Sequence, residues 1–412
     1  TPTTGPTCKS YTTPRPPRHN KRFNQRPALP NDPTIQLSLP HRIRFTRSAF
    51  DVSNSTLADV FDIDGQSTQK VLIAVDQGIV EAMPKLQEQV ETYFADNADK
   101  LPKLVGFRAV VGGEQSKNDL SQLESFLGEI DAHHLDRHSY ILVIGGGAVL
   151  DMVGFAAAVA HRGIRLVRMP TTTLAQADSG VGVKNGVNMF GKKNFIGAFA
   201  VPWAVVNDLT LLDTLDDREW RSGLSEAVKV GLLKDAGLYR LISKRAEHLG
   251  KRDRALADDV IQRSAHLHLQ HIAFGGDPFE MTTARPLDFG HWSGHKLEQL
   301  TNFAIKHGEG VALGLALDVT YCEIMGILAP EVAADIRRTL ETLGFDLYHP
   351  AMDDADALLN GLDEFREHLG GQLTITLIKA PGKPINVHEI DRNTMAAALG
   401  KLKEIAQAAP VA

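Results

Sequence analysis

Residues 141–208 read ILVIGGGAVLDMVGFAAAVAHRGIRLVRMPTTTLAQADSGVGVKNGVNMFGKKNFIGAFAVPWAVVND. The stretch opens with a short strand that is apolar on both faces, as in a parallel sheet covered on both sides. Three glycines follow, then a helix predicted over Val149–His161 and a strand over Arg165–Met169. Because strands and helices alternate from Lys70 to Asp208, we expect a doubly wound, mostly parallel α/β domain.

The turn after the first strand consists of Gly145, Gly146 and Gly147. Glycines here let the backbone approach a phosphate, and the next helix start offers free N–H groups. An ordinary tight turn would look the same. The spacing also differs from the Rossmann glycine fingerprint, so a dinucleotide would have to be held in another way.

The segment 170–195, predicted to be a loop, carries charged and amide side chains among glycines that cannot build a core. Polar groups between apolar elements usually meet a ligand, and lysines favour an anionic one. A solvated surface loop is the alternative. The side chains concerned are Asp178, Lys184, Asn188, Lys193 and Asn194.

Composition limits the class of protein. At 412 residues the chain is long enough for two domains, and its 43% apolar content is typical of a soluble globular protein. No apolar run reaches the roughly 18 residues of a membrane span. With Cys8 and Cys322 as the only cysteines, we expect a reducing, cytoplasmic compartment. A net charge of −6 argues against nucleic acid as a partner.

Residues 1–33 differ from the remainder, being rich in Pro, Thr and Arg. They lack apolar periodicity, so we expect a disordered basic extension. A transit peptide has a similar composition, but the prolines interrupt an amphipathic helix, which favours an extension without function or a misplaced start. The segment contains one acidic residue, Asp32, and six basic residues, Lys9, Arg15, Arg18, Lys21, Arg22 and Arg26.

Two further patterns precede and follow the central stretch. The segment from Thr34 to Phe50 is predicted to form a β-hairpin-like edge pair. Beyond Asp208 the periodicity becomes helical, with one late strand predicted over Leu373–Leu377. Helices are predicted over Ala82–Ala95, Glu219–Leu233, Ala236–His248, Arg252–Ala273, His291–Leu300, Gly308–Met325, Glu331–Leu343 and Ala355–Leu369.

Several groups of metal-ligand type lie on these helices. Glu226 and Lys229 are three residues apart, and His291 and His295 are four apart, so each pair shares a helix face. His307 and Glu309 mark a helix start. Two histidines and a carboxylate are the usual ligands of a catalytic zinc, but with 16 histidines the spacing alone does not select the set.

The segments GGGAVLDMVGFAAA, HRGIRLVRMPTTTLAQADSGVGVKNGVN and GKKNFIGAF resemble the 3-dehydroquinate synthase superfamily, the sugar phosphate cyclases. The resemblance extends from about Val71 to about Leu377. It implies an NAD-binding α/β domain over residues 34–215 and a mainly helical metal- and substrate-binding domain over 216–412. It also implies NAD and Zn²⁺ or Co²⁺ as cofactors, a small-molecule sugar phosphate substrate, no nucleic acid or membrane partner, and a homodimer.

The resemblance also assigns roles to residues. It gives metal ligation to Glu226, His291 and His307, and catalytic roles to His295, Glu280, Lys184 and Lys229. The positions matching NAD contacts are Asp76, Glu114, Lys117, Gly146, Gly147, Asp151, Thr171, Thr172, Lys193 and Thr214. The positions matching substrate contacts are Arg162, Asp178, Lys184, Asn194, Lys229, Asp288, His295 and His307.

Departures from the dehydroquinate synthase pattern bear on the substrate. Where those enzymes read GLRxLLNxGH, this chain reads TTARPLDFGH, with Ala284 at the arginine position and Asp288 at the asparagine position. A lysine expected near Gln270 is also missing, and FREHLGG replaces paired lysines. A carboxylated substrate would lose its bidentate arginine partner, so we infer a neutral polyol end. The combination resembles sedoheptulose 7-phosphate cyclases of the 2-epi-5-epi-valiolone synthase type and dehydroquinate-synthase-like enzymes of ebo clusters.

The resemblance implies a lyase reaction in which NAD oxidises a ring hydroxyl, phosphate is eliminated, the hydride returns and an aldol step closes a carbocycle. One alternative is a true 3-dehydroquinate synthase acting on 3-deoxy-arabino-heptulosonate 7-phosphate. A second is a glycerol-dehydrogenase-like metal alcohol dehydrogenase, which the lysines Lys184 and Lys229 disfavour. A third is a non-catalytic binding protein on the same fold, which the complete metal set disfavours.

Overall fold

Six parallel strands form the central sheet of the computed structural model, which describes residues 35–63, 69–275, 279, 287–368 and 371–408. The strand order is β1-β8-β5-β4-β2-β3. Two antiparallel hairpins, β6–β7 and β9–β10, lie outside this sheet. The strands are β1 Arg42–Thr46, β2 Lys70–Asp76, β3 Lys103–Val110, β4 Tyr140–Gly145, β5 Arg165–Pro170, β6 Lys184–Met189, β7 Lys192–Phe199, β8 Ala204–Asp208, β9 Ile375–Ala380 and β10 Lys383–Val387.

Helices cover both faces of the sheet and make up most of the chain beyond Asp208. The helices are α1 Gln77–Ala82, α2 Leu86–Asp96, α3 Gln115–Asn118, α4 Leu120–Ala132, α5 Gly147–Val159, α6 Asp217–Lys234, α7 Ala236–Lys244, α8 Ala246–Gly250, α9 Arg254–Phe274, α10 His291–Leu300, α11 His307–Ile324, α12 Pro330–Thr342, α13 Ala355–His368 and α14 Arg392–Ala408. Among the residues described, no helix is both long and apolar enough to cross a membrane.

Alternation along β2 shows why this segment is a central strand. Val71, Ile73 and Val75 pack into the core on one face, whereas Leu72 and Ala74 pack into the core on the other. A strand buried on both faces is the expected product of a continuous apolar run. The prediction of a doubly wound α/β domain followed by mainly helical structure is therefore confirmed.

Several local predictions were wrong. The edge pair predicted from Thr34 onward is a single strand, β1, whose partner is the distant β8. The loop predicted over 170–195 contains a π-helical turn, Ala175–Ser179, and the hairpin β6–β7. The helix predicted from Ala82 begins only at Leu86, after Pro84, and α1 in front of it is not predicted. Two helices, α7 and α8, replace the single helix predicted over Ala236–His248. The second late strand β10 and the helix α14 were not predicted.

The expected disorder of residues 1–33 lies outside the described residues. Residues 35–39 have no regular secondary structure. The division at residues 215 and 216 stays a prediction.

Candidate active site

Glycines bring three helices of the C-terminal half close together. A Cβ built on Gly308 of α11 would overlap the backbone of Ser222 on α6. A Cβ built on Gly294 of α10 would lie 2.9 Å from the carbonyl oxygen of Gly310 on α11. Only glycine permits such approaches. They place the start of α11, which carries His307, against both α6 and α10.

Four side chains converge between these helices. Glu226 of α6 is fully buried, and its Oε1 lies 3.4 Å from His291 Nε2 and 3.2 Å from His307 Nε2. The ring of His295 lies 5.3 Å from that of His291 and 5.5 Å from that of His307, centroid to centroid. One ligand atom from each of the three histidines lies within 4.8 Å of the others. The structure thus brings together the metal ligands and the proton-handling histidine expected from the sequence.

Contacts at Nδ1 orient the rings of His291 and His307 so that each Nε2 faces Glu226. His291 Nδ1 lies 3.1 Å from the carbonyl oxygen of Phe289, and His307 Nδ1 lies 2.8 Å from Glu298 Oε1. When Nδ1–H donates to these oxygens, each Nε2 keeps its lone pair for a metal. Among the described residues, neither oxygen of Glu226 accepts a well-formed hydrogen bond. Two imidazoles and one buried carboxylate therefore fit a divalent ion such as Zn²⁺ or Co²⁺.

Burial and charge oppose each other at the lysine of this site. Lys229 is buried one turn beyond Glu226 and forms an ion pair with it. Burial lowers the pKa of Lys229, but the charges of Glu226, Asp178 and Asp288 outweigh it and raise the pKa above its ordinary value. For Glu226 burial raises the pKa, yet Lys229 and His291 hold it well below its usual range. The site therefore contains a buried cation at neutral pH.

The histidines differ in charge. Burial lowers the pKa of His307, but Glu298 and Glu226 outweigh it and raise the pKa to about 9. Burial and the neighbouring His291 lower the pKa of His295 well below its ordinary value. His295 is therefore a neutral imidazole that can accept a proton.

Asp178 approaches this centre from the π-helical turn. Its Oδ1 lies 2.7 Å from Nδ1 of His268 on α9. Burial raises the pKa of Asp178, but His268 and Lys229 outweigh it and lower the pKa to about 2. Asp178 and Asp288 therefore both act electrostatically on Lys229, and their contact with a substrate stays a prediction.

The residues expected to bind a nucleotide include a group at the carboxyl edge of the sheet. The chain passes from β2 outward to β3 and then returns to β4 on the other side of β2, which is a topological switch point. Asp76 ends β2, and Gly146 and Gly147 follow β4. Gly146 caps α5 without a side chain, and a Cβ on Gly147 would lie 2.8 Å from Ser179 Oγ. This glycine cradle at a helix N-terminus fits a pyrophosphate.

Polar side chains expected to hold NAD form a hydrogen-bonded network with Asn188 and Asn194. Lys117 is buried, donates to Asp151 Oδ2 at 2.8 Å and also contacts Asn194 Oδ1. Asn188 donates to Glu114 Oε1 at 2.7 Å and accepts from the backbone N–H of Asn194 at 2.8 Å. Asn194, which the resemblance assigned to the substrate, is thus connected to the nucleotide-side residues.

The remaining expected residues fall into three groups. Thr171 and Thr172 follow β5, where Thr172 Cγ2 would lie 3.3 Å from a Cβ on Gly146, and Thr214 ends the turn after β8. Lys184 is exposed at the first residue of β6. Glu280 and Ala284 lie outside the described residues.

The structure does not bring Arg162 to this site within one chain. Arg162 is exposed and lies between the end of α5 and the start of β5. Because α5 runs back from the carboxyl end of β4, this position is at the amino edge of the sheet, opposite the glycine cradle. The expected contact of Arg162 with the substrate therefore stays a prediction that the arrangement within one chain does not explain. Sequence matching carries no information about which sheet edge a residue occupies.

Sequence reasoning missed two polar residues of the site, His268 and Glu298. Each lies on a helix that carries several acidic or histidine side chains, so its residue type alone does not distinguish it. For Glu298 a signal existed, because it lies seven residues after His291 and three after His295, on the same face of α10. His268 had no comparable signal, since its partner Asp178 is 90 residues away in the sequence.

Comparison with known proteins decides the family. The family model described as 3-dehydroquinate synthase N-terminal matches residues 108–222, and the one described as 3-dehydroquinate synthase C-terminal matches residues 223–364. This chain belongs to the 3-dehydroquinate synthase family. The family consists of enzymes, and 3-dehydroquinate synthase itself is a phosphate-eliminating lyase. The chain is accordingly a sugar phosphate cyclase of that family.

Named relatives carry more than one activity. A 2-epi-valiolone synthase of Actinosynnema mirum is 34% identical over 310 residues, which are 73% of this chain and 79% of the relative. A 3-dehydroquinate synthase of a Bradyrhizobium species is 33% identical over 293 residues, which are 68% of this chain and 75% of the relative. Sequence similarity to the whole chain therefore does not separate the two activities.

Among solved structures, the 2-epi-5-epi-valiolone synthase of Streptomyces hygroscopicus with NAD⁺ and Zn²⁺ bound is similar to this chain. The TM-score is 0.81 at 25% identity, with 91% of this chain and 99% of that chain covered. A 2-deoxy-scyllo-inosose synthase complexed with carbaglucose-6-phosphate, NAD⁺ and Co²⁺ matches with a TM-score of 0.72 at 21% identity, covering 87% of this chain and 96% of the other, and shows the fold alone.

Proposed function

We propose that this chain is an NAD- and divalent-metal-dependent cyclase that eliminates phosphate from sedoheptulose 7-phosphate and closes a carbocycle by an intramolecular aldol reaction. The observation that carries the proposal is the convergence of Glu226, His291 and His307 beside the buried Lys229 and the acidic Asp288. The named relatives and the solved valiolone synthase support it.

Different residues would bind the metal, the nucleotide and the substrate phosphate. Glu226, His291 and His307 would hold the metal, and the glycine cradle after β4 would hold the nucleotide. Once bound, the two cofactors would supply hydride transfer and polarisation of the reacting oxygen. Lys229 is a buried cation that can bind the substrate phosphate, because the acids around it keep it charged.

Proton transfer falls to His295. Its imidazole is neutral and stands over the ring of His307, so it can take a proton from substrate without first losing one. The role expected for Glu280 in proton transfer stays a prediction. The homodimer and the cytoplasmic location also stay predictions.

Specificity for an uncarboxylated substrate rests on Asp288. Its charge acts on Lys229, so Asp288 lies near the lysine that would pair with the substrate phosphate. A substrate carboxylate there would be repelled, whereas sugar hydroxyls can donate to the Asp288 oxygens. The sequence TTARPLDFGH also lacks an arginine at position 284.

Phosphate release with purified protein, NAD and Zn²⁺ tests the proposal. Sedoheptulose 7-phosphate is compared with 3-deoxy-arabino-heptulosonate 7-phosphate, and net NADH formation is followed in parallel. Release from sedoheptulose 7-phosphate alone, without net NADH, is expected. Release from the heptulosonate alone would identify a true 3-dehydroquinate synthase, and net NADH with a simple polyol would identify an alcohol dehydrogenase.

A double variant tests the role assigned to Asp288. Asp288→Asn combined with Ala284→Arg should raise activity towards the carboxylated heptulosonate, because an arginine can then pair with the carboxylate. Unchanged preference in a folded double variant would contradict the specificity argument.

A further inference from the structure

Glu298 is a buried carboxylate that two separate groups of the site share. It lies on α10, and only 2% of it is exposed. Its Oε1 lies 2.8 Å from Nδ1 of His307, and its Oε2 forms an ion pair with Nζ of Lys193. Lys193 belongs to the hairpin β6–β7 and lies near Glu114, another residue expected to contact NAD, whereas His307 belongs to the metal group. Glu298 is thus the contact between these two groups.

Packing restricts both partners of this carboxylate. Lys193 Nζ lies 5.0 Å from the centroid of the Phe303 ring and 3.9 Å from Glu114 Oε1. His307 is the first residue of α11, and the next residue, Gly308, has no side chain and so lets the helix pack closely against α6. Because the neighbouring elements are fixed, Glu298 can satisfy both partners in few orientations. A buried ion pair is weak evidence for a role in stability, because desolvation of the two charges offsets much of their attraction.

We propose that Glu298 is the positioning residue that links nucleotide binding to metal binding. Its carboxylate accepts from His307 Nδ1, which directs Nε2 of that ring towards Glu226, and Lys193 fixes the orientation of the carboxylate. This inference rests on the proposed function, because it takes the histidine group as a metal site.

Linkage gives the inference a measurable form. A nucleotide that contacts Lys193 holds it in place, which holds Glu298 and then His307 in the geometry that a metal requires. Bound NAD should therefore raise the affinity for Zn²⁺, and by reciprocity Zn²⁺ should raise the affinity for NAD by the same factor. From typical coupling free energies the factor should be about five-fold or more.

Zinc affinity, measured by competition with a chromogenic chelator with and without NAD, tests this coupling without any substrate. Glu298→Gln keeps the shape but loses the charge, so it should weaken Zn²⁺ binding about 10- to 100-fold and abolish the effect of NAD. Lys193→Met should bind Zn²⁺ nearly as the wild type does but lose the effect of NAD, and Lys193→Arg should restore it. Lys296 lies on the same helix as Glu298 and forms an ion pair with the exposed Glu364. Glu364→Gln, which removes this partner, is the matched control.

The visible absorption of bound Co²⁺ provides a second readout, because it reports the geometry of the ligands and not the stability of the fold. Glu298→Gln should change this spectrum, and the control should leave it unchanged. Wild-type zinc affinity and an intact NAD effect in Glu298→Gln would overturn the coupling alone. Absence of any Zn²⁺ binding by the wild type would overturn the metal site itself, and the coupling with it.

Discussion

Arg168 donates a hydrogen bond to Asn185 Oδ1 at 2.6 Å and so ties the start of β6 to the central sheet. Arg168 is fully buried, and its guanidinium also donates to the carbonyl oxygens of Gly180, Gly182 and Lys184 at 2.9 to 3.1 Å. Burial lowers the pKa of Arg168 to about 10, which leaves it charged at neutral pH. One buried arginine thus shapes the segment between Asp178 and Lys184.

Replacing this guanidinium should loosen the segment. Arg168→Lys keeps the charge but loses the planar fork, so several buried carbonyl oxygens would lose their donors. The free energy of unfolding should fall by about 2 kcal/mol or more, as measured by chemical denaturation. Arg44→Lys on the exposed face of β1 is the matched control. Equal losses in the two variants would contradict the anchoring role.

A glycine of α5 protects the same contact. A Cβ on Gly154 would overlap Asn185 Oδ1, whereas a Cβ on Gly128 of α4 would meet no atom within 4 Å. Gly128→Ala should therefore stabilise the protein by up to about 1 kcal/mol through helix propensity. Gly154→Ala should destabilise it by about 1–3 kcal/mol, because Asn185 must move away from Arg168. Thermal unfolding of the two variants measures the difference. A stabilising effect of Gly154→Ala would show that Asn185 does not require the space next to Gly154.

Metal binding should depend on Glu226 and not on the nearby Glu309. Sequence spacing left Glu309 as a candidate beside His307, but the structure pairs it with Arg218, whose Nε lies 2.6 Å from Glu309 Oε1. Glu226→Gln should weaken Zn²⁺ binding by about 100-fold or more, because it removes a charged ligand. Glu309→Gln should leave Zn²⁺ affinity within about two-fold, at a small cost in stability. Equilibrium dialysis with metal analysis distinguishes these outcomes, and the reverse order would reassign the carboxylate ligand.

The sequence predicts the parts of this site that depend on local motifs better than the contacts between residues far apart in the chain. Glu226, His291 and His307 are assigned through the family resemblance, whose motifs are local, and the strand β4 is predicted because its apolar run is continuous. The relationship of Arg168 to the 180–185 segment is not predictable, since an arginine in a buried strand gives no sign of the carbonyl oxygens it will meet. The sequence of the hairpin β6–β7 predicts a loop, because its glycines and asparagines obscure the alternation of apolar and polar residues.

The distance of Arg162 from the rest of the site within one chain has a different origin. Its position in the motif matches, but a helix of 13 residues, α5, separates it from the glycine cradle and carries the chain to the opposite sheet edge. A spacing argument works within one turn of helix or one strand and fails across a whole element. The coupling through Glu298 was missed for the same reason, since Lys193 is 105 residues away.

A buried acid on α11 should impose a pH dependence on stability. Asp318 is fully buried, and its oxygens accept from Trp292 Nε1 at 2.9 Å and from the backbone N–H of Gly290 at 3.1 Å. These donors flank His291, so Asp318 orients the start of α10. Burial outweighs both hydrogen bonds and raises the pKa of Asp318 to about 7.

The sign of the pH effect follows from that pKa. The pKa in the unfolded chain is about 4, so the folded state holds the proton more tightly than the unfolded state does. The stability from this group is fully present below about pH 4 and is lost as the pH rises to about 7, at up to about 1.4 kcal/mol per unit. Asp318→Asn cannot ionise, so its unfolding free energy relative to wild type should increase between pH 5 and 7. Denaturation with a metal chelator present measures this difference. The exposed Asp346→Asn should show no such trend, and a difference independent of pH for Asp318→Asn would mean that Asp318 is already ionised in the folded protein.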